Sequence, residues 1–222
     1  MKKIYLFIHL IVCAIAFSQA GSPALPYYNS FNWNLTGTAL KTALASKLTT
    51  KHTNYLSYTP GVWEASKVTD LDPNNSNNVL LIYGWENGTD SDVTNDLSRN
   101  KNSNSGNTGD WNREHVYAKA LGNPTLDDGG TSDAGEDAHH LRSSDVTRNN
   151  SRGSLKFAPG SGNSQTVTGG WYPGDQWKGD VARMMMYMYL RYGSQCLPKN
   201  VATGSTVASD ANMVSLLLQW NA

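Results

Sequence analysis

Apolar residues along this chain follow two distinct patterns, separated by long polar stretches. After Thr36-Gly37-Thr38, leucines recur at 40, 44 and 48 with Ala39, Ala43 and Ala45 between them. That spacing predicts an amphipathic helix, with His52 just past its end as a capping or solvated residue. Val79-Leu80-Leu81-Ile82-Tyr83 is a continuous run, β-branched and aromatic, and predicts a strand buried on both faces. From Lys178 to Tyr192, Val181, Met184, Met185 and Met188 form one stripe, while Met186, Tyr187, Tyr189 and Leu190 cover much of the remainder. A helix apolar nearly all round is a central core helix, and Gly193 is placed to close it. The methionines read as core packing. Met213, Leu216, Leu217 and Trp220 predict a last helix capped by Ser209 or Asp210.

The polar stretches supply the connections. Residues 21–36 read as an extended lead-in, Tyr55 to Tyr58 as a short strand or bend, and Pro60-Gly61 as a turn. Asp70 to Asn75 reads as a loop. Its oxygens would suit calcium, but the spacing and closing glutamate of an EF-hand are missing. Residues 84–110 have hardly any apolar anchor and predict a long surface loop, and Gly169 to Gly174 predicts a turn. With no internal repeat and no linker, the expectation is one α+β domain with few strands and at least three helices.

The first residues change that picture. Lys2 and Lys3 precede an apolar run from Ile4 to Phe17 and the small residues of Ser18-Gln19-Ala20, the form of a secretory signal peptide. The run is too short and wrongly flanked for a membrane span. Cys13 follows Leu10-Ile11-Val12 rather than a small residue, which disfavours a lipid anchor. A secreted or periplasmic protein of residues 21–222 is expected, not held in a membrane. Its sole cysteine would be Cys196, so an internal disulfide is excluded and packing or bound metal must stabilise it. Losing Lys2 and Lys3 leaves 16 basic against 18 acidic residues, a net charge of −2. Nucleic acid would therefore have to be met by a local patch. Arg113, Arg142, Arg148, Arg152, Arg183 and Arg191 all lie in the second half.

Three of the five histidines fall within residues 111–154. Hydrolysis of a phosphodiester near neutral pH needs a deprotonated water, neutralisation of the charge on phosphate and leaving group, and fixed geometry. A neutral imidazole suits the first requirement, which His115 could meet. A hard divalent cation on oxygen ligands suits the second, and Glu114 with an asparagine could hold it. Arg113, Arg142, Arg148 and Arg152 offer guanidinium groups to phosphate. Neighbouring strand residues point to opposite faces, so Glu114 and His115 share a site only if their strand ends or bulges there. Downstream, His139-His140-Leu141 predicts a strand, Ser143-Ser144 a turn, and the following residues a helix. Asp145, Asn149 and Arg152, spaced by four and three, share a face of that helix. Two antiparallel strands and a helix closing on a metal make a ββα-metal, or His-Me finger, core.

The segments N-R-E-H-V and D-A-H-H-L-R-S-S-D-V-T-R-N-N-S-R-G resemble the bacterial endonuclease I family of secreted or periplasmic nucleases, which includes extracellular ribonucleases. S-Y-T-P-G-V-W-E, V-L-L-I-Y and K-G-D-V-A-R-M-M-M-Y-M-Y-L-R-Y are similar to its members in the same order, so the resemblance spans residues 36–220. It implies a His-Me finger core surrounded by helices, with His115 as general base and Glu114 and Asn149 as ligands to Mg²⁺, Ca²⁺ or Mn²⁺. Arg152 becomes a catalytic arginine, either a phosphate contact or a structural anchor, and His139 and His140 support the site from behind. Little sequence specificity, DNA and RNA as substrates, a 5′-phosphate product and a monomer are expected. The chain departs from the family in three places. No basic residue lies between Lys119 and Arg142, so the arginine that steadies the cleaved phosphate is unassigned, with Arg142 or Arg148 as candidates. Ser143 stands where members often carry proline. Members also run beyond the last helix, so truncation at Ala222 is expected.

Three other readings remain open. A secreted carbohydrate-binding or adhesive module would use Trp171, Tyr172 and Trp177 as a sugar platform. A zinc site would draw on His115, His139 and His140, though H-E-x-x-H is absent. An inactive nuclease fold would keep the scaffold and lose the chemistry.

Overall fold

The computed structural model describes residues 27–130 and 134–222. The expected signal peptide, Cys13 and the start of the lead-in lie outside the described residues. The chain divides into two compact units, residues 1–43 and 44–222. In the first, Tyr28, Phe31 and Trp33 pack ring against ring, with Phe31 and Trp33 centroids 4.5 Å apart. Helix α1, Gly37–Lys51, matches the leucine pattern and runs across the division.

The second unit mixes helix and sheet. Ser57 accepts a hydrogen bond from Gly61 N and closes a wide turn, Tyr58–Val62, that leads into α2, Trp63–Thr69. Strands β1 (Leu71–Asp72), β2 (Asn75–Leu80) and β3 (Ser98–Asn100) form an antiparallel sheet. The expected loop at Asp70–Asn75 is thus a hairpin, tightened by Asp72 accepting from Asn74 N. The expected long loop of residues 84–110 contains β3, which pairs with β2 through polar residues that periodicity cannot flag. The apolar run belongs to β2 only as far as Leu80. Leu81, Ile82 and Tyr83 continue as buried coil.

Strands β4 (Trp111–His115) and β5 (Leu141–Asp145) pair antiparallel from Trp111 opposite Asp145 to His115 opposite Leu141. Helix α3, Val146–Arg152, follows β5 without a break. The expected turn at Ser143-Ser144 is strand instead: both serines are fully buried, and Ser143 N donates to Asp70 at 2.6 Å. His139 and His140 precede the strand rather than lying in it. Asp145 starts the helix by accepting from Thr147 N and Arg148 N, while its other oxygen pairs with Arg99 at 2.7 Å.

The remaining elements enclose these. Strands β6 (Gln165–Val167) and β7 (Gly170–Tyr172) make a hairpin where only a turn was expected. Helix α4, Lys178–Tyr192, has the predicted bounds. It buries Val181, Met184, Met185 and Met188, and Gly193 at φ +56° closes it. Helix α5 (Pro198–Val201), strands β8 (Thr206–Val207) and β9 (Asp210–Val214), and helix α6 (Ser215–Trp220) complete the chain. The expected cap at Ser209 or Asp210 is replaced by β9, so the last helix starts at Ser215. The core gathers around α4 and takes in Val116, Tyr117, Phe157, Trp171, Leu217 and Trp220. Cys196 is buried in it, and burial pushes its thiol up to about 12. Among the described residues, no helix is long and apolar enough to cross a membrane.

Candidate active site

The end of β4 and one face of α3 border a cavity of about 220 Å³, lined by Glu114, His115, Lys119, Asn149 and Arg152 among others. Glu114 and His115, which a regular strand would direct to opposite faces, both reach it because β4 stops at His115. Asn149 and Arg152, three apart on α3, both bond to backbone at that end. Asn149 Nδ2 donates to Arg113 O at 3.3 Å. Arg152 donates to His115 O at 2.8 Å and Val116 O at 2.7 Å.

Glu114 is 2% exposed. Burial raises its carboxyl to about 7, against the pull of the Arg152 guanidinium and the Tyr83 hydroxyl. Arg152 approaches Oε1 at 3.1 Å, and Tyr83 donates to the same oxygen at 2.9 Å. Both contacts fall on one oxygen and leave Oε2 for the cavity. Tyr83 reaches this position from a left-handed backbone conformation, φ +76°, that costs a non-glycine residue roughly 1 kcal/mol or more. Because the Asn149 amide spends its NH₂ group on Arg113 O, its Oδ1 is also an available acceptor. Two hard oxygens on one cavity wall are the donor chemistry that Mg²⁺, Ca²⁺ or Mn²⁺ takes. The residues present fit such an ion.

His115 Nε2 donates to Gly135 O at 2.9 Å, which leaves Nδ1 as the basic nitrogen. Burial, assisted by His140, lowers this imidazole to about 3, so it is neutral at neutral pH. Tyr58 stacks on the ring at 5.4 Å. His140 lies behind it, ring centroids 5.7 Å apart, and donates to Ala134 O at 2.7 Å. Gly135 has no room for a side chain, since a Cβ there would sit 2.0 Å from Asp127 O.

The other predicted residues are placed differently. Arg152 is 1% exposed, and its two terminal nitrogens engage the His115 and Val116 carbonyls and Glu114, which makes it an anchor for the strand end. Arg113 lies between the Tyr58 and Trp63 rings, 3.5 and 4.1 Å from their centroids. Arg142 pairs with Asp70 at 2.6 Å. Arg148 donates to Thr94 O and Ser164 O while covering Trp85. None of these three arginines borders the cavity. His139 is turned away too: its Nδ1 donates to Asp137, and its ring stacks on Tyr187.

Lys119, Gly135 and Tyr83 escaped the sequence reading. Lys119 borders the cavity and pairs with Asp128 at 2.6 Å, four residues beyond the histidine that could have drawn attention to it. Gly135 and Tyr83 act through tertiary contacts that local pattern does not encode.

The rival readings lose their supports here. Trp171, Tyr172 and Trp177 are at most 4% exposed, so they form no sugar platform. Among the described residues, no three His, Cys, Asp or Glu side chains are grouped to hold a metal, His115, His139 and His140 included.

Comparison with known proteins agrees with the motifs. The chain is 42% identical over 215 residues to an extracellular ribonuclease of Bacillus subtilis, covering 90% of this chain and 68% of that protein. It is 44% identical over 195 residues to an extracellular ribonuclease of Bacillus amyloliquefaciens, covering 83% of this chain and 61% of that one. No solved structure matches at a significant level. The endonuclease I sequence profile matches residues 36–222, and the chain therefore belongs to the endonuclease I family.

Proposed function

We propose that this chain, after loss of residues 1–20, is a secreted monomeric endonuclease that hydrolyses phosphodiester bonds of RNA and DNA with little sequence specificity. The observation that carries this reading is the single cavity shared by a neutral, oriented imidazole, two free oxygen donors and a lysine. The β4–β5–α3 unit that forms its wall supports a His-Me finger core. Relatives named extracellular ribonuclease support secretion and an RNA substrate.

His115 Nδ1 accepts a proton from water, whose oxygen attacks phosphorus as the bond to the 3′-oxygen breaks; the leaving oxygen takes a proton from a second water, giving a 5′-phosphate and a 3′-hydroxyl. Gly135 O holds the imidazole tautomer in which that nitrogen is free. Glu114 Oε2 and Asn149 Oδ1 would hold a divalent cation, which when bound neutralises charge on the phosphate and leaving oxygen. Lys119 takes the phosphate-steadying role for which no arginine is placed. Arg152 holds the strand end that presents both neighbours. Contact through phosphate and shape explains low sequence specificity.

The test is cleavage of plasmid DNA and of RNA by the mature chain with Mg²⁺, with EDTA, and with His115→Ala. Cleavage should require the cation and fall roughly 10²- to 10⁴-fold in the variant. Near-normal turnover by folded His115→Ala would remove the base assignment.

A further inference from the structure

A second cluster lies beyond the cavity and is not used by this chemistry. Its centre is Asp137, whose side chain is fully buried. One oxygen accepts from His139 N at 2.9 Å and His139 Nδ1 at 2.7 Å, the other from Tyr187 and Tyr192 hydroxyls, each at 2.8 Å. Packing does not account for what surrounds it. The His139 side chain is 62% exposed, stacked on Tyr187 at 4.3 Å, with Nδ1 consumed and Nε2 left over. Tyr55 is 45% exposed and lies parallel to the His52 ring at 4.8 Å, which supports one of its faces. His52 meets His139 edge-on at 6.0 Å and accepts from Arg191 Nε at 3.4 Å.

We propose that Tyr55, His52, His139 and Arg191 form a track for single-stranded nucleic acid leading to the cavity at His115. This rests on the nuclease reading above. Supported aromatic faces beside a guanidinium, here that of Arg191, are what unpaired bases and their phosphates require. The acid at the centre is buried beneath its four donors, so its charge is withdrawn from the surface a phosphate would meet. Two connections lead to the reacting group. Tyr58, three residues after Tyr55, stacks on His115, and the 134–139 segment supplies both the Gly135 carbonyl and His139. Bases in a duplex are stacked on one another and cannot use Tyr55, so the track selects single strands.

Binding would be measured by fluorescence anisotropy in EDTA, with a labelled oligothymidylate and a hairpin duplex of equal length. Tyr55→Ala and His139→Ala should each weaken single-strand binding by roughly 5- to 50-fold. Tyr55→Phe should retain it, and duplex binding should change little. Wild-type protein that fails to bind the single strand overturns the track, as do alanine variants that bind like wild type or lose both ligands equally. Single-strand binding that depends on Tyr55, from a protein that never cleaves, keeps the track and removes the nuclease reading. Cleavage whose preference for single strands survives both alanine variants does the reverse.

Discussion

Glu114 and Asp137 are both buried carboxylates, yet their oxygens are used in opposite ways. Asp137 is saturated by four donors. Burial pushes its carboxyl upward, but the hydrogen bonds from His139 outweigh that and hold it well below the usual carboxylate range. Glu114 has one oxygen engaged and one free, and burial prevails, raising it to about 7. A buried charge with every lone pair satisfied is finished structure. One left half-satisfied at a cavity wall is stabilised by whatever enters the cavity. The contrast separates a carboxylate whose oxygens are all used within the fold from one that keeps an oxygen without a protein partner.

The most severe way to break the contrast is Glu114→Gln. The amide keeps an acceptor for Tyr83 and nearly the same volume, and Arg152 keeps its two carbonyls. Removing the charge opposite the buried Arg152 guanidinium should cost about 3–5 kcal/mol of stability. Activity should fall roughly 10²- to 10³-fold and stay low at excess Mg²⁺. Thermal unfolding and metal titration of the rate read the two effects separately. Activity per folded molecule that stays near wild type would make Glu114 a structural residue like Asp137.

The sequence made one half of this comparison legible and concealed the other. Glu114, His115 and Asn149 are visible because their chemistry is local to two motifs, and the structure brings all three to one cavity. The arginines were less legible. Four were candidates for phosphate, but a guanidinium satisfies buried carbonyls, a lone carboxylate or an aromatic face equally well, and the fold uses Arg152, Arg142 and Arg113 in those three ways. Helix α4 was readable to the residue because fifteen residues of mostly apolar character carry their own signal. Strands β1, β3 and β9 were not, since Asp72, Asn100 and Asp210 pair through backbone and alternate no apolar face. The Asp137 cluster joins side chains from positions 52 to 192, a separation no local pattern records.

Asp137→Asn attacks the saturated partner. The new amide nitrogen must face hydroxyl or imidazole donors, so the loss should be about 2–3 kcal/mol. For a domain of this size that lowers Tm by roughly 4–12 °C. Activity per folded molecule should fall less than tenfold. The pH dependence follows from the depressed carboxyl. The native state binds its proton less tightly than the unfolded chain, whose aspartates titrate near about 3.9. The stability Asp137 supplies is therefore fully present above that value and is lost as pH falls through its lower native one. Acid unfolding monitored by far-UV dichroism should show a shallower slope in Asp137→Asn than in wild type. Equal slopes would mean that the carboxylate is not charged in the native state.

Asn149→Ala sharpens the contrast at its mildest point. Alanine removes the Oδ1 acceptor and the bond to Arg113 O, while the partly exposed helix position accepts the smaller side chain. The fold should lose only about 1 kcal/mol. If Oδ1 is the second oxygen of a cation site whose first is Glu114 Oε2, removing a neutral ligand weakens the ion without abolishing it. Activity should fall roughly tenfold at limiting Mg²⁺, the equivalent of about 1.4 kcal/mol, and recover at excess. Glu114→Gln should not recover in this way, because the charge that draws the ion into a buried cavity is gone. Recovery in one variant and not in the other would separate the charged ligand from the neutral one. A loss in Asn149→Ala that no cation concentration restores would return Asn149 to its bond with Arg113 O, as a residue that only holds the helix against the strand.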